Sequence, residues 1–120
     1  LDAPALVEEL KAKHPVFMLT KSACPFCKRA KALLEDLEAK FEIFELDGLS
    51  AEAKTALQAH LKASTGAGSV PRVYVGGECL GGFSETQRML WKGDLVPALA
   101  AVGAAEDRPG TGFDAGNPFL

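Results

Sequence analysis

The chain has 120 residues, of which 48% are hydrophobic, so it is long enough to bury a core as a single domain without metal or disulfide support. Its 13 basic and 16 acidic residues give a formal net charge of -3 without a long run of one sign, which argues against a nucleic-acid partner. No apolar stretch reaches the roughly 20 residues that span a bilayer, and the first residues lack the pattern of a signal peptide, so we expect no membrane association.

The cysteine pattern bears on the compartment. Cys24, Cys27 and Cys79 make an odd number, and two of them lie three residues apart, unlike the framework of a disulfide-rich secreted domain. We therefore expect an intracellular, reducing location, with the cytoplasm favoured. A plastid or mitochondrion is the alternative if an N-terminal transit segment was removed, since the sequence begins at Leu1.

The first two elements are a helix and a strand. Asp2 and Pro4 mark a helix start, and the apolar residues that follow at helical spacing predict a helix over residues 3 to 13. Pro15 ends that helix. The apolar run Val16 to Thr20 then indicates a buried strand.

A second helix is predicted from Pro25 to about Lys40, because its apolar residues recur at i, i+3, i+4 and i+7. Residues 41 to 46 alternate between apolar and acidic side chains, which indicates a half-exposed strand. Ser50 is then predicted to cap a third helix that closes at the glycines of positions 66 to 68.

A hairpin and two further helices follow. Arg72 to Val75 and Glu78 to Leu80 are predicted strands joined by Gly76-Gly77, a dipeptide suited to a tight turn. The pair Ser84 and Gln87 matches a capping box, which would open a helix ending near Gly93, and Asp94 is predicted to cap a last helix.

The order of elements predicts an α/β fold with a mixed four-stranded sheet covered by helices on both faces. We expect one domain over residues 1 to 103. Residues 104 to 120 are rich in Glu, Asp, Pro and Gly without periodicity, which predicts a flexible tail, although Phe113, Phe119 and Leu120 leave docking as an alternative.

The pair Cys24 and Cys27 has three interpretations: a redox dithiol, half of a zinc site, or coincidence. Zinc is disfavoured, because it takes four Cys or His ligands and the chain has no second closely spaced pair, only the scattered Cys79, His14 and His60. We therefore expect no metal. Cys79 is interpreted as a small buried side chain rather than a regulatory thiol.

The redox interpretation has a physical mechanism. Cys24 falls at the N-cap of the helix that begins at Pro25, where unpaired backbone N–H groups and the helix dipole stabilise a thiolate. Cys27 follows on the same helical face, so the two sulfurs can form a disulfide. Lys21 either places a cation near the sulfur or is simply solvated.

Three motifs occur together in the chain: Lys21-x-x-Cys24-Pro25-Phe26-Cys27, then Val70-Pro71, then Gly81-Gly82 before Ser84-Glu85. In combination they resemble the dithiol glutaredoxins, and the resemblance covers residues 3 to 103. It implies a thioredoxin fold in which the peptide bond before Pro71 is cis. It also implies glutathione as cosubstrate, without a permanently bound cofactor.

The resemblance further implies a groove for glutathione. The backbone of Val70, beside Pro71, would pair with the cysteinyl part of the tripeptide. Lys21 and Gln58 would hold the glycyl carboxylate. Ser84 would bind the γ-glutamyl carboxylate, and the helix start predicted there independently favours an anion.

Two positions depart from the usual pattern of that family. Phe26 stands where Tyr is common, so the ring packing is kept without a hydroxyl contact. Glu85 stands where Asp is common, and its carboxylate, one methylene further out, would meet the γ-glutamyl amine.

The activity implied by the resemblance is that of a glutathione-dependent thiol-disulfide oxidoreductase, acting as a monomer on glutathionylated proteins and some protein disulfides. Cys24 would take the glutathionyl group from a mixed disulfide, and a second glutathione would release it. Cys27 would serve when the substrate is a protein disulfide.

Two other activities fit the sequence less well. A thioredoxin reduced by a flavoprotein reductase is disfavoured, because the Trp-Cys-Gly-Pro-Cys pattern of that family is absent. An iron-sulfur cluster held between two chains by Cys24 and glutathione is disfavoured by Pro25, where cluster-binding members usually have Gly or Ser.

Overall fold

The computed structural model describes residues 1–106, which form a four-stranded mixed sheet between two layers of helices. The helices are α1 (Ala3–Lys13), α2 (Pro25–Asp36), α3 (Ala51–Thr65), α4 (Phe83–Lys92) and α5 (Leu95–Ala101), and the strands are β1 (Val16–Thr20), β2 (Glu42–Glu45), β3 (Arg72–Val75) and β4 (Glu78–Gly81). The predicted order of elements is confirmed, with a 3-10 turn added at Leu46–Gly48. Within residues 1–106, no helix combines the length and the apolar character needed to cross a bilayer.

The sheet has the strand order β2-β1-β3-β4. β1 runs parallel to β2, with Phe17 opposite Glu42, and antiparallel to β3, with Phe17 opposite Tyr74. β3 and β4 form the predicted hairpin, in which Gly76 and Gly77 have φ angles of 59° and 83°. Glycine adopts both of these angles without strain, so the glycine pair suits this turn.

Alternate side chains of the buried strand β1 enter two separate cores, because successive residues of a strand point to opposite faces. The core under α2, α4 and α5 includes Val16, Met18, Ala30, Leu34, Val73, Val75, Leu90, Leu95 and Leu99. The core under α1 and α3 includes Val7, Leu10, Phe17, Leu19, Leu46, Leu57, Leu61 and Tyr74. β1 is therefore held from both sides up to Thr20, where the loop to α2 begins.

Two helix starts follow the predicted capping chemistry. The side chain of Asp2 accepts a hydrogen bond from the backbone N–H of Ala5 at 3.1 Å. The Ser50 hydroxyl accepts one from the backbone N–H of Ala53, also at 3.1 Å. Each cap pairs one of the backbone donors that a helix start leaves without an intrahelical partner.

The predicted end of α2 is wrong, because the helix stops at Asp36 and not near Lys40. Glu38 has a φ of 56°, a left-handed conformation that cannot continue a right-handed helix. The N–H of Ala39 then donates to the carbonyl of Leu34 at 3.0 Å, which closes the last turn.

The predicted start of α4 and the predicted capping hydrogen bond of α5 also need correction. The N-cap of α4 is Gly82, and the carboxylate Oε1 of Glu85 accepts a hydrogen bond from the Gly82 N–H at 2.7 Å. The capping box predicted for Ser84 and Gln87 is therefore wrong. Asp94 does occupy the N-cap of α5, but its side chain makes no capping hydrogen bond within the described chain.

Replacing Glu85 by alanine should destabilise the fold by about 1 kcal/mol, because the N–H of Gly82 would lose its partner at the helix start. Glu85→Gln keeps an acceptor oxygen and should cost less. Urea denaturation of the variants measures the difference. Ser84→Ala is the matched control, since Ser84 does not cap α4, and an equal loss for that variant would contradict the assignment of the cap to Glu85.

The chain remains packed for a short distance after α5. Ala104 is buried in the core under α2, α4 and α5, and its carbonyl accepts a hydrogen bond from the N–H of Lys40 at 2.8 Å. The contact begins one residue after the domain end predicted at Gly103. Residues 107–120 of the predicted tail, with Phe113, Phe119 and Leu120, lie outside the described residues.

Candidate active site

The reactive sulfur predicted from sequence lies at the N-cap of α2. Cys24 has an extended backbone, and Pro25 follows as the first helical residue, where its missing N–H leaves no helix bond unmade. The Cys24 Sγ accepts a hydrogen bond from the backbone N–H of Cys27 at 3.1 Å. This donor and the positive end of the helix dipole both lie at the sulfur, where they can stabilise negative charge that develops on it during thiol-disulfide exchange.

The second cysteine is in a different environment. Cys27 is only 1% exposed, whereas Cys24 is half-buried, and both are free thiols. Burial, together with the neighbouring Cys24 thiol, raises the pKa of Cys27 to about 11, against the opposing effect of the Lys21 backbone N–H. At neutral pH Cys27 is therefore protonated and shielded, and Cys24 is the sulfur that a substrate can reach.

The loop before β3 lies directly beside Cys24. The peptide bond between Val70 and Pro71 is cis, as the resemblance implied. The carbonyl oxygen of Val70 lies 3.8 Å from the Cys24 Sγ. Residues 46 positions apart in sequence thus meet at the reactive sulfur.

A cleft of about 160 Å³ lies between this loop and the start of α4. Its lining residues are Phe26, Ser69, Val70, Pro71, Arg72, Gly82, Phe83, Ser84 and Glu85. The cleft brings together predicted binding residues from α2, from the loop before β3 and from α4, so one elongated ligand could touch all three segments.

Aromatic side chains form one wall of the cleft. The ring of Phe26 is 51% exposed and stacks on the ring of Phe83, with 6.2 Å between the centroids. The guanidinium of Arg29 lies over the Phe26 ring at 5.3 Å from its centroid. These contacts hold an apolar face open to solvent next to Cys24, where it can cover an incoming disulfide.

Comparison with known proteins decides the family. A family model described as Glutaredoxin matches residues 16–80. The chain is 42% identical over 102 residues to Glutaredoxin-C6 of Oryza sativa subsp. japonica, which covers 85% of this chain and 89% of that protein. The chain belongs to the glutaredoxin family. As a glutaredoxin, it is a glutathione-dependent thiol-disulfide oxidoreductase, and the predicted thioredoxin-like fold is confirmed.

Two further relatives add detail. The structure matches a buckwheat glutaredoxin-glutathione complex with a TM-score of 0.79 and 33% identity, over 87% of this chain and 93% of that one. Glutaredoxin-C4, chloroplastic, of Oryza sativa subsp. japonica is 40% identical over 97 residues, which is 81% of this chain and 71% of that protein. The first of these relatives was solved with glutathione.

Two of the predicted glutathione residues of this glutaredoxin lie outside the cleft described above. Lys21 is half-buried in the loop between β1 and α2, and its backbone lies against Cys27. Gln58 is half-buried on α3, and its side-chain amide donates to the carbonyl of Gly68 at 3.5 Å. Both residues flank the site, so a ligand that reached them would extend beyond the cleft.

Four cleft residues were not predicted: Ser69, Arg72, Gly82 and Phe83. Arg72 is the most unusual of them, because it is only 6% exposed, and its Nε–H donates to the carbonyl of Pro71 at 3.0 Å. The sequence does carry a signal for it, since a cation directly after Val-Pro opens an otherwise apolar strand.

The described residues offer little to a metal ion. No three His, Cys, Asp or Glu side chains of residues 1–106 lie close enough to hold one. Cys79 is half-buried on β4 against the core under α1 and α3, so it is less buried than predicted.

Proposed function

We propose that this glutaredoxin reduces glutathione mixed disulfides of proteins through Cys24, and some protein disulfides through Cys24 and Cys27 together. The observation that carries the proposal is the difference between the two sulfurs. Cys24 is half-buried and receives a backbone hydrogen bond, whereas Cys27 is buried and its pKa is raised to about 11. A cycle that needs only the first sulfur suits this arrangement.

Glutathione would bind along the cleft, with its sulfur at Cys24. Its cysteinyl backbone would pair with Val70, whose carbonyl already lies 3.8 Å from the Cys24 sulfur. The γ-glutamyl end would reach Ser84 at the first turn of α4, where free backbone N–H groups favour a carboxylate. A buckwheat relative was solved as a complex with glutathione, which supports glutathione as the ligand.

The remaining predicted residues would complete the contacts. Phe26 and Pro71 would pack on the two sides of the disulfide. Lys21 and Gln58 would hold the glycyl carboxylate, beyond the end of the cleft. Glu85 would lie near the γ-glutamyl amine, although its Oε1 also accepts the hydrogen bond of the Gly82 N–H.

The reaction would run in two thiol-disulfide exchanges. The Cys24 thiolate attacks the glutathione sulfur of the mixed disulfide, forms a bond to it, and expels the protein thiolate, which takes up a proton. The thiolate of a second glutathione then attacks the glutathione sulfur bound to Cys24. Glutathione disulfide leaves, and the Cys24 thiolate is regenerated.

We further propose that the protein acts as a monomer inside the cell and holds no permanent cofactor, with glutathione as its cosubstrate. The cytoplasm is the favoured location, and a plastid is the alternative that the chloroplastic rice relative supports.

The test is reduction of a glutathione mixed disulfide of a small thiol, coupled to NADPH through glutathione reductase. We expect NADPH consumption that requires both the protein and glutathione. Replacing glutathione and its reductase by thioredoxin reductase should stop turnover. Turnover with thioredoxin reductase alone would contradict the proposal and favour a thioredoxin.

A further inference from the structure

We propose that Arg72 determines specificity for the γ-glutamyl end of glutathione, by supplying a fixed positive charge to that end of the cleft. The inference rests on the proposed function, because it concerns the same ligand in the same cleft. Three observations carry it: the burial of the guanidinium, its lack of a carboxylate partner, and its position against the start of α4.

Arg72 is a buried cation without a counterion in the described structure. It is 6% exposed, and its Nε–H donates a hydrogen bond to the neutral carbonyl of Pro71. The ion pairs found within residues 1–106 are Lys11 with Glu8 and Lys13 with Glu9, both on α1. Arginine is rarely buried unless it is paired, so an unpaired guanidinium lining a cleft is suited to an anionic ligand.

The guanidinium lies between the two walls of the cleft. Its Nε–H is bonded to Pro71 on the loop that carries Val70. A Cβ placed on Gly82 would come within 3.2 Å of the Arg72 Nη2 and 3.4 Å of the Pro71 carbonyl oxygen. The absence of a side chain at Gly82 therefore lets the start of α4 approach the guanidinium. Two sources of positive potential, the cation and the helix terminus, meet at one end of the cleft.

A negative charge lies near this cation without pairing to it. The Glu85 Oε1 would lie 3.4 Å from a Cβ placed on Gly82, which is also the Cβ that would contact Arg72. This oxygen accepts the hydrogen bond from the Gly82 N–H. The cleft end thus presents a cation and an anion side by side. The γ-glutamyl residue carries a carboxylate and an ammonium group on one carbon, so its charges can match both. A Cys-Gly thiol has no such pair of groups at that end.

The test compares two disulfides, glutathione disulfide and the disulfide of Cys-Gly, in a Cys27→Ser background that cannot form the internal bridge. The second-order rate of mixed-disulfide formation at Cys24 is followed by mass spectrometry. Arg72→Gln, which removes the charge and keeps a donor group, should lower the rate with glutathione disulfide about tenfold. The rate with Cys-Gly disulfide should stay within about twofold, which also shows that the fold and Cys24 are intact.

Arg72→Lys keeps the charge and should stay within about threefold of the parent in its preference for glutathione disulfide. If Arg72→Gln does not fold, Arg72→Met removes the charge at similar length, and the same loss of preference is expected. A parent protein without preference for glutathione disulfide would overturn the proposed function itself. A parent with the preference and an uncharged variant that keeps it would overturn only the role of Arg72.

Discussion

Cys24→Ser should abolish glutathione-dependent reduction of mixed disulfides, with a loss of at least about 100-fold, whereas Cys27→Ser should retain it. Only Cys24 combines access with a stabilising backbone hydrogen bond. Cys27 is 1% exposed and its pKa is raised to about 11, so it cannot replace the missing nucleophile. The glutathione reductase assay measures both variants. Turnover of Cys27→Ser should equal or exceed that of the parent, because no internal disulfide competes.

A protein disulfide provides the matched control for these variants. Its reduction needs two thiols, so Cys27→Ser should lose most of this activity while keeping the first. An equal loss of both activities in Cys27→Ser would contradict the glutathione mechanism. A dithiol cycle of the thioredoxin type would then be the better description.

Iodoacetamide should alkylate Cys24 at least about 100-fold faster than Cys27 at pH 7. With a pKa of about 11, only about one Cys27 in ten thousand is a thiolate at this pH, and burial shields that fraction further. Peptide mapping by mass spectrometry after timed labelling gives the two rates.

The pH dependence of the slower rate is the control. Because a thiol reacts as its thiolate, labelling of Cys27 in a Cys24→Ser variant should rise about tenfold per pH unit through pH 9. Burial is the largest cause of the raised pKa of Cys27, so that pKa should stay raised in the Cys24→Ser variant. A plateau below pH 9, or earlier labelling of Cys27 in the parent, would show that the second thiol is not held in its protonated form.

Where the chain carries local signals, the sequence was enough to predict its structure. Asp2 and Ser50 cap the helices predicted for them, and Gly76-Gly77 makes the predicted hairpin. The Cys24 N-cap was also predictable, since it depends on Pro25 and the helical pattern that follows. In each case the deciding residues are close in sequence.

The errors occur where local signals compete or a nonlocal contact decides. Glu38 ends α2 because it adopts a left-handed conformation, which is not expected of a glutamate. At α4, the Ser84 pattern looked like a capping box, but the Gly82 N–H pairs with Glu85 instead. A glycine at the N-cap has no side chain to complete the usual capping motif, so the sequence pattern does not reveal this helix start.

The site shows the same division. The two cysteines are read from one short motif, but the approach of Val70 to Cys24 joins distant parts of the chain. The role of that loop was predicted only from the resemblance to a known family. Arg72 was missed by both routes, because its burial depends on how Pro71 and Gly82 pack around it in the folded protein.

The hydrogen bond to the Cys24 sulfur comes from the main chain of residue 27 and not from its side chain. Any residue at position 27 except proline carries the same N–H group. Over evolutionary time, a lineage could therefore exchange its second cysteine in a single mutational step, and the nucleophile would keep its donor throughout. A two-cysteine and a one-cysteine form of this chain thus differ by one substitution that leaves the donor to the Cys24 sulfur in place.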